Sequence, residues 1–296
     1  MQNDQRTLLA SAIVLITGGL WGFYWLPVRT LGDMGLPGAW GTVAITVATV
    51  ILLLPFAIRE RQQLAQASPI ALISIAMGGA AFALYSIGFI YGRVAIIILL
   101  WFLSPVWSTL IGRYLMGWPT PRLRIVAIVL GLTGLALMLG AGGGLPLPRG
   151  AGEWMSLIAG ILWSFSTTGM RTRSDIAALP SAFVFAVGAA MTALALAPFL
   201  EPAPTFPTHH AMSIAGLAFL TGGLWWGLTL VGLMWATVRL EPARVSILLM
   251  TEVLIGAVSA AIFANETLHS IEVVGGIIVL LAGLLEVLPV RGNRPA

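Results

Sequence analysis

Apolar runs of about 20 residues, each ended by a short polar or Gly/Pro-containing break, recur along the whole chain. A run of that length covers the roughly 30 Å hydrocarbon core of a bilayer as a helix rising about 1.5 Å per residue. Ten spans are predicted. The first five are Thr7–Pro27, Gly38–Ile58, Pro69–Gly92, Val94–Gly117 and Leu123–Gly142. The second five are Gly152–Arg171, Ala178–Leu200, Met212–Ala236, Pro242–Ala264 and Ile271–Val290. The period-two alternation of a membrane β-barrel is missing from these runs, so the expected fold is an all-α polytopic membrane protein. The longest polar stretches, Glu201–His210 and Gly142–Ala151, are too short to fold as soluble domains. The first run follows Arg6 as a signal peptide's apolar stretch would. It lacks a small-x-small cleavage site ahead of a soluble domain, so it is predicted to be a retained helix.

Composition supports the pattern. Hydrophobic residues make up 58% of the 296 positions and charged residues 9%, against roughly 45–50% and about 25% in soluble proteins. A soluble fold of this length needs a charged skin that 15 basic and 11 acidic side chains do not supply. With no cysteine, disulfides, thiolate metal sites and cysteine catalysis are excluded.

Every basic residue is an arginine, and their placement sets an orientation. With the N-terminus inside, Arg6, Arg59, Arg61, Arg113, Arg122, Arg124, Arg171, Arg173, Arg239, Arg244, Arg291 and Arg294 fall on the cytoplasmic side. Arg29, Arg93 and Arg149 fall outside, with Asp33, Glu153, Glu201, Glu266, Glu272 and the three histidines. The positive-inside rule then places both termini in the cytoplasm. The net charge of +4 belongs to that cytoplasmic rim and implies no nucleic-acid partner.

The halves resemble each other. Leu20, Trp21, Phe23 and Arg29 recur as Leu162, Trp163, Phe165 and Arg171. Gly78, Gly79, Gly88 and Tyr91 recur as Gly222, Gly223, Gly232 and Trp235, and Leu100–Pro105 and Thr120 face Ile247–Glu252 and Thr267. The offset drifts upward in order, as a duplication with small insertions gives. With five spans in each half, residues 7–142 and 152–290 are expected to insert with opposite topology, an architecture common in secondary transporters.

These residues carry a resemblance to the drug/metabolite transporter superfamily, in its EamA-type branch. The similar pieces are "GGLWGFYW" in the first span, "AGILWSFS" in the sixth, "LWFLSPVWSTLIG" in the fourth and "ANETLHSIEVVGGIIVLLAG" between the last two. The family's acidic-Thr pattern is kept as Glu266-Thr267, whereas its first-half counterpart is Pro119-Thr120. Glu252 stands where the family commonly has a mid-helix proline. The resemblance implies ten helices in two inverted halves, a location in the bacterial inner membrane and a small-molecule substrate. The tryptophan-rich interior is similar to that of bacterial exporters of aromatic and other amino acids.

Of 11 tryptophans, Trp40, Trp118, Trp154 and Trp235 lie near span ends, where indoles anchor at the headgroups. Trp21, Trp101, Trp163, Trp225 and Trp226 lie inside spans. Trp101 shares a helical face with Ser104, Pro105, Ser108 and Gly112, and Trp163 shares one with Ser166, Thr167 and Met170. Tyr85 lies on a stripe with Gly78, Ala81, Gly88 and Gly92, and Trp225 and Trp226 cluster with Gly222 and Thr229. Each aromatic has two readings, a cavity wall or packing bulk, and the glycines favour packing. The candidate substrate-binding set is Trp21, Tyr85, Trp101, Ser104, Trp163, Ser166, Thr167, Trp225 and Thr229. Glu252 is the one acidic residue near the middle of a span. It is either a contact for a substrate ammonium or a proton-coupling group, or else a protonated carboxyl bonded between helices. Glu286 and Arg113 lie near cytoplasmic ends and are expected to snorkel.

Aromatic faces with hydroxyls suit a zwitterionic amino acid with an apolar side chain, or a flat organic cation. The expected function is export of amino acids or related metabolites by alternating access, the alternative being multidrug or quaternary-cation efflux. An intramembrane enzyme is disfavoured: no H-E-x-x-H occurs, the histidines lie in loops and no aspartate pair lies within spans. No nucleotide-binding loop, metal site or cofactor motif is present, and nothing in the residues indicates an oligomeric state.

Overall fold

The computed structural model describes residues 2–117, 122–141, 143, 145, 147–173, 176–205, 210–237, 239–240, 245 and 248–287. Among them every regular element is a helix. Seven helical segments are long and apolar enough to cross a membrane: Gln5–Asp33, Trp40–Arg59, Pro69–Tyr91, Val94–Tyr114, Arg122–Gly140, Ala178–Leu200 and Ala211–Leu233. The chain is a multi-pass membrane protein. The ninth and tenth predicted spans appear as the shorter apolar helices Thr251–Phe263 and Ser270–Leu285. The sixth is long enough, at Ala151–Arg173, but carries Glu153 and a series of Ser and Thr hydroxyls.

Several predicted spans are broken, and each break has a local cause. The first divides into α1 (Gln2–Gly22) and α2 (Trp25–Asp33). Pro27 has no N–H to give the Phe23 carbonyl, which instead accepts from the Leu26 N–H at 3.0 Å in a tighter turn. The second and third are α3 (Trp40–Arg59) and α5 (Pro69–Tyr91), joined by the short exposed α4 (Arg61–Gln66). The fourth divides into α6 (Val94–Trp101) and α7 (Ser104–Tyr114) for the same reason as the first. Pro105 cannot bond the Trp101 carbonyl, and the chain turns at Phe102–Leu103.

After α8 (Arg122–Gly140) come α9 (Ala151–Arg173) and α10 (Ala178–Leu200). The eighth span, expected as one α-helix, is α11 (Ala211–Thr221), a π-helical segment Gly222–Leu228 and α12 (Thr229–Thr237). Two consecutive tryptophans on a Gly-rich stretch are accommodated there by the wider turn. The ninth, expected from Pro242, is helical at Val245 and Leu248–Leu249, turns at Met250 and continues as α13 (Thr251–Phe263); residues 241–244 and 246–247 lie outside the described residues. The last is α14 (Ser270–Val287).

The polar α9 is central. It packs on α5, α6 and α7, and its serines bond neighbouring carbonyls: Ser156 to Ile97 at 2.6 Å, Ser164 to Ser104 and Ser166 to Ser74, both at 2.7 Å. This explains how a hydroxyl-rich helix sits within an apolar bundle. Elsewhere α10 packs on α3 and α5, α8 on α14, α1 on α12 and α13, and α6 on α13. Two of these contacts are backbone to backbone. A Cβ on Gly79 would stand 1.9 Å from the Phe185 carbonyl oxygen, and one on Gly134 2.6 Å from that of Gly275. Glycine at these positions lets the helices approach.

Candidate functional site

The breaks in the fourth and ninth spans meet at a cavity of about 310 Å³. Its wall is built from Trp21 of α1, Trp101, Phe102, Ser104 and Pro105 around the α6–α7 turn, and Trp163 of α9. Leu230 and Leu233 of α12, Leu249, Met250 and Glu252 at the start of α13, and Val279, Leu280 and Gly283 of α14 complete it. The wall is apolar and aromatic apart from Glu252 and Ser104, and it contains no arginine.

Glu252 is 2% exposed and sits in the first turn of α13. Its Oε1 accepts a hydrogen bond from the Tyr85 hydroxyl at 2.8 Å. The free N–H groups at the start of a helix favour negative charge there. Ser104 lies in the first turn of α7, one residue before Pro105, the position aligned with Glu252. The Tyr85 ring stacks on Trp101 with centroids 4.8 Å apart and planes 27° off parallel, and Trp101 lies 5.5 Å from Trp163. Carboxylate, phenol and two indoles thus form one connected series across α13, α5, α6 and α9.

Trp21, Trp101, Ser104, Trp163 and Glu252 are therefore brought together around one space, with Tyr85 directly behind Trp101 and Glu252. The other four candidates are placed elsewhere. Ser166 turns toward α5 and bonds Ser74, whereas Thr167 bonds back to the Trp163 carbonyl at 2.9 Å. Helical Ser and Thr readily satisfy themselves on a carbonyl one turn back, which sequence spacing does not reveal. Trp225 donates to the Leu20 carbonyl, and Thr229 accepts from Trp21 Nε1 at 3.0 Å. Trp225 and Thr229 hold Trp21 in place and do not line the cavity.

The residue that spacing missed is Phe82. It is 6% exposed and makes ring contacts with Trp21, Tyr24, Tyr85, Trp101, Phe185 and Trp226, the shortest at 4.8 Å to Trp226. Its place three residues before Tyr85, on the same helical face, was the available signal. Tyr24, at the α1–α2 break, accepts from Trp226 Nε1 at 3.2 Å and shares a hydrogen bond with Ser86. Trp118 and Pro119-Thr120 lie outside the described residues, as does the side chain of Glu286. The Arg113 guanidinium lies 5.6 Å from the Tyr114 ring centroid.

Charged groups concentrate at one end of the bundle. Arg29 bonds Glu266 at 2.9 Å and also donates to the carbonyls of Phe89 and Gly92. Arg93 makes a two-pronged pair with Glu272, one prong 3.0 Å long. That hydrogen bonding raises the Arg93 pKa above its ordinary value. Each pair joins a residue before position 100 to one after 260. Arg29 is eight residues beyond Trp21 and Arg93 eight before Trp101, about 12 Å of helix from the cavity. Val28, Leu31, Phe89, Val94 and Ile97, all 0% exposed, fill the space between. Among the described residues no group of three His, Asp or Glu side chains is placed to hold a metal ion.

Residues 150–287 match the model of the EamA-like transporter family. No curated protein matches the chain. One solved crystal structure superposes with a TM-score of 0.59 at 15% identity, covering 95% of this chain and 96% of that one. At that identity the likeness shows the fold alone, over nearly the full length of both.

Proposed function

We propose that the chain is a secondary transporter of the EamA type, with residues 7–142 and 152–290 as inverted five-helix halves. In this reading it exports amino acids, aromatic and other apolar ones, or related small metabolites across a bacterial inner membrane by alternating access. The observation that carries it is the cavity itself, walled by Trp21, Trp101 and Trp163 with Glu252 as its one carboxylate. An ammonium group pairs with Glu252, and an apolar or aromatic side chain packs against the indoles. Ser104, at the positive end of the α7 dipole, offers a place for the carboxylate of a zwitterion.

The cavity also supports the repeat. Trp21 and Trp163, Phe102 and Leu249, and Pro105 and Glu252 are aligned positions in the two halves, and all six line it. The turns at Phe102–Leu103 and Met250 fall at matching points. Helix contacts are paired in the same sense: α5 on α9 has its counterpart in α12 on α1, and α6 on α9 in α13 on α1. Exchanging the conformations of two such halves would move the opening from one side of the membrane to the other. The arginine distribution supports cytoplasmic termini, with the ion-paired end outside.

Efflux of quaternary cations is the second reading, favoured by the same three indoles around one carboxylate. Uptake of amino acids and of a quaternary ammonium compound into proteoliposomes separates the two. Trp163→Ala is expected to lower saturable uptake of the true substrate class roughly 10-fold or more, since it removes a whole aromatic face, worth about 1.5–3 kcal/mol as buried apolar packing or about 2 kcal/mol as a desolvated cation–aromatic contact. Trp163 is chosen because Trp101 also supports Tyr85, so its replacement would disturb the core. Unchanged saturable uptake in this variant removes Trp163 from the binding site.

A further inference from the structure

The close-packed glycines described above are explained by helix contact. Gly276 follows the same rule, since a Cβ there would stand 2.9 Å from Leu99 Cδ1. Gly283, two turns further along the same helix, does not. It is buried, yet among the described residues the one atom within 4 Å of where its Cβ would stand is the Met250 Cε methyl, at 3.3 Å. Of the glycines with nothing within that distance, Gly117, Gly143 and Gly216 are exposed and Gly140 is half-buried. A buried glycine that no neighbour requires borders open space, and that space is the cavity, which Gly283 lines with Met250, Val279 and Leu280.

We infer that Gly283, with Met250 facing it, sets how large an apolar group the cavity admits, so that a substrate with a bulky ring is accepted because this position carries no side chain. The inference rests on the proposed carrier function and deepens it. Gly283 withdraws one wall without loosening the bundle, because the backbone contact between α14 and α8 is made elsewhere, at Gly134 and Gly275. Met250 is an adaptable opposing surface: an unbranched thioether has three rotatable bonds and fits groups of different shape. Size selection is thereby separated from charge recognition at Glu252.

The substitution series is mild by construction. Gly283→Ala places a methyl against the movable end of Met250 and improves helix propensity, whereas Gly283→Leu extends into the cavity. Counterflow into proteoliposomes with alanine and tryptophan as paired substrates reads the effect. The tryptophan-to-alanine uptake ratio is expected to fall roughly 10-fold or more in Gly283→Leu, the scale on which apolar pockets discriminate by size. Gly283→Ala should give an intermediate ratio, and Met250→Ala in the Gly283→Leu background should partly restore it. An unchanged ratio across the series overturns the inference.

A second measurement does not depend on transport. The chain has no cysteine, so Gly283→Cys supplies a single thiol. In the folded full-length protein it should react with both methyl and benzyl methanethiosulfonate. Adding Met250→Trp should slow the benzyl reagent at least roughly 10-fold more than the methyl one. A thiol that is inert when folded and reactive only after denaturation overturns the inference, whatever the protein transports. The expected thiol pattern with no transport of any amino acid leaves Gly283 as the size-setting position and overturns the amino-acid reading instead.

Discussion

Glu252→Gln should lower transport of ammonium-bearing solutes by at least roughly 30-fold and leave the protein folded. Removing one partner of a buried, hydrogen-bonded charge pair costs about 2–5 kcal/mol, and the lower figure is already that fold-change. Glutamine has the shape of the carboxylate and still accepts the Tyr85 bond through its carbonyl oxygen, so the series from Tyr85 to Trp101 survives. Alanine is a poorer probe. It would leave the buried Tyr85 hydroxyl without its acceptor, which costs about 1–3 kcal/mol and confuses folding with function. If Glu252 instead only joins helices, Glu252→Gln transports normally, because the amide keeps the interhelical bond. Solutes without an ammonium group should be spared, which separates loss of a contact from collapse of the cavity.

Breaking both ion pairs should open the far end of the bundle. Glu272 is 3% exposed and Glu266 has a 10% exposed side chain; each pairs with its arginine, and Glu272 also accepts from the His269 backbone N–H at 2.8 Å. Replacing Arg29 and Arg93 together by glutamine removes two charge-assisted contacts of about 1.5–3 kcal/mol each. The closed form of that end is then disfavoured relative to a form in which water reaches the carboxylates. Val28, 0% exposed and just below the pairs, is a suitable reporter as Val28→Cys in a chain without other thiols. Labelling of intact cells by a membrane-impermeant thiol reagent should be slow with both arginines present and about 10-fold or more faster without them. Equal rates would mean that the pairs do not close this end. Labelling only in inverted vesicles would reverse the proposed orientation.

Helix positions were legible in the sequence because about 20 consecutive apolar residues have few other uses. The breaks were legible only in part. Pro27 and Pro105 are visible, but the turn at Met250 and the π segment at Gly222–Leu228 have no single-residue signature. At the candidate site, indole and carboxylate positions were the most readable features of the cavity wall. Trp21, Trp101, Trp163 and Glu252 are too large or too costly to place without a reason, and they converge. Hydroxyls were the least readable, because Ser166 and Thr167 each found a carbonyl within or beside their own helix. Phe82 carries no sequence mark that separates it from an ordinary core phenylalanine, yet its ring contacts Tyr85, Trp101 and Trp226.

Alternating access through one cavity, open to each side of the membrane in turn, is tested most directly by counterflow. Proteoliposomes loaded with an unlabelled amino acid and diluted into a trace of the same labelled compound should accumulate label transiently above equilibrium, without ATP or an imposed ion gradient. Glu252→Gln should suppress that overshoot. Label that only rises to equilibrium, at a rate indifferent to the internal load, would contradict the account and mark the cavity as an open path.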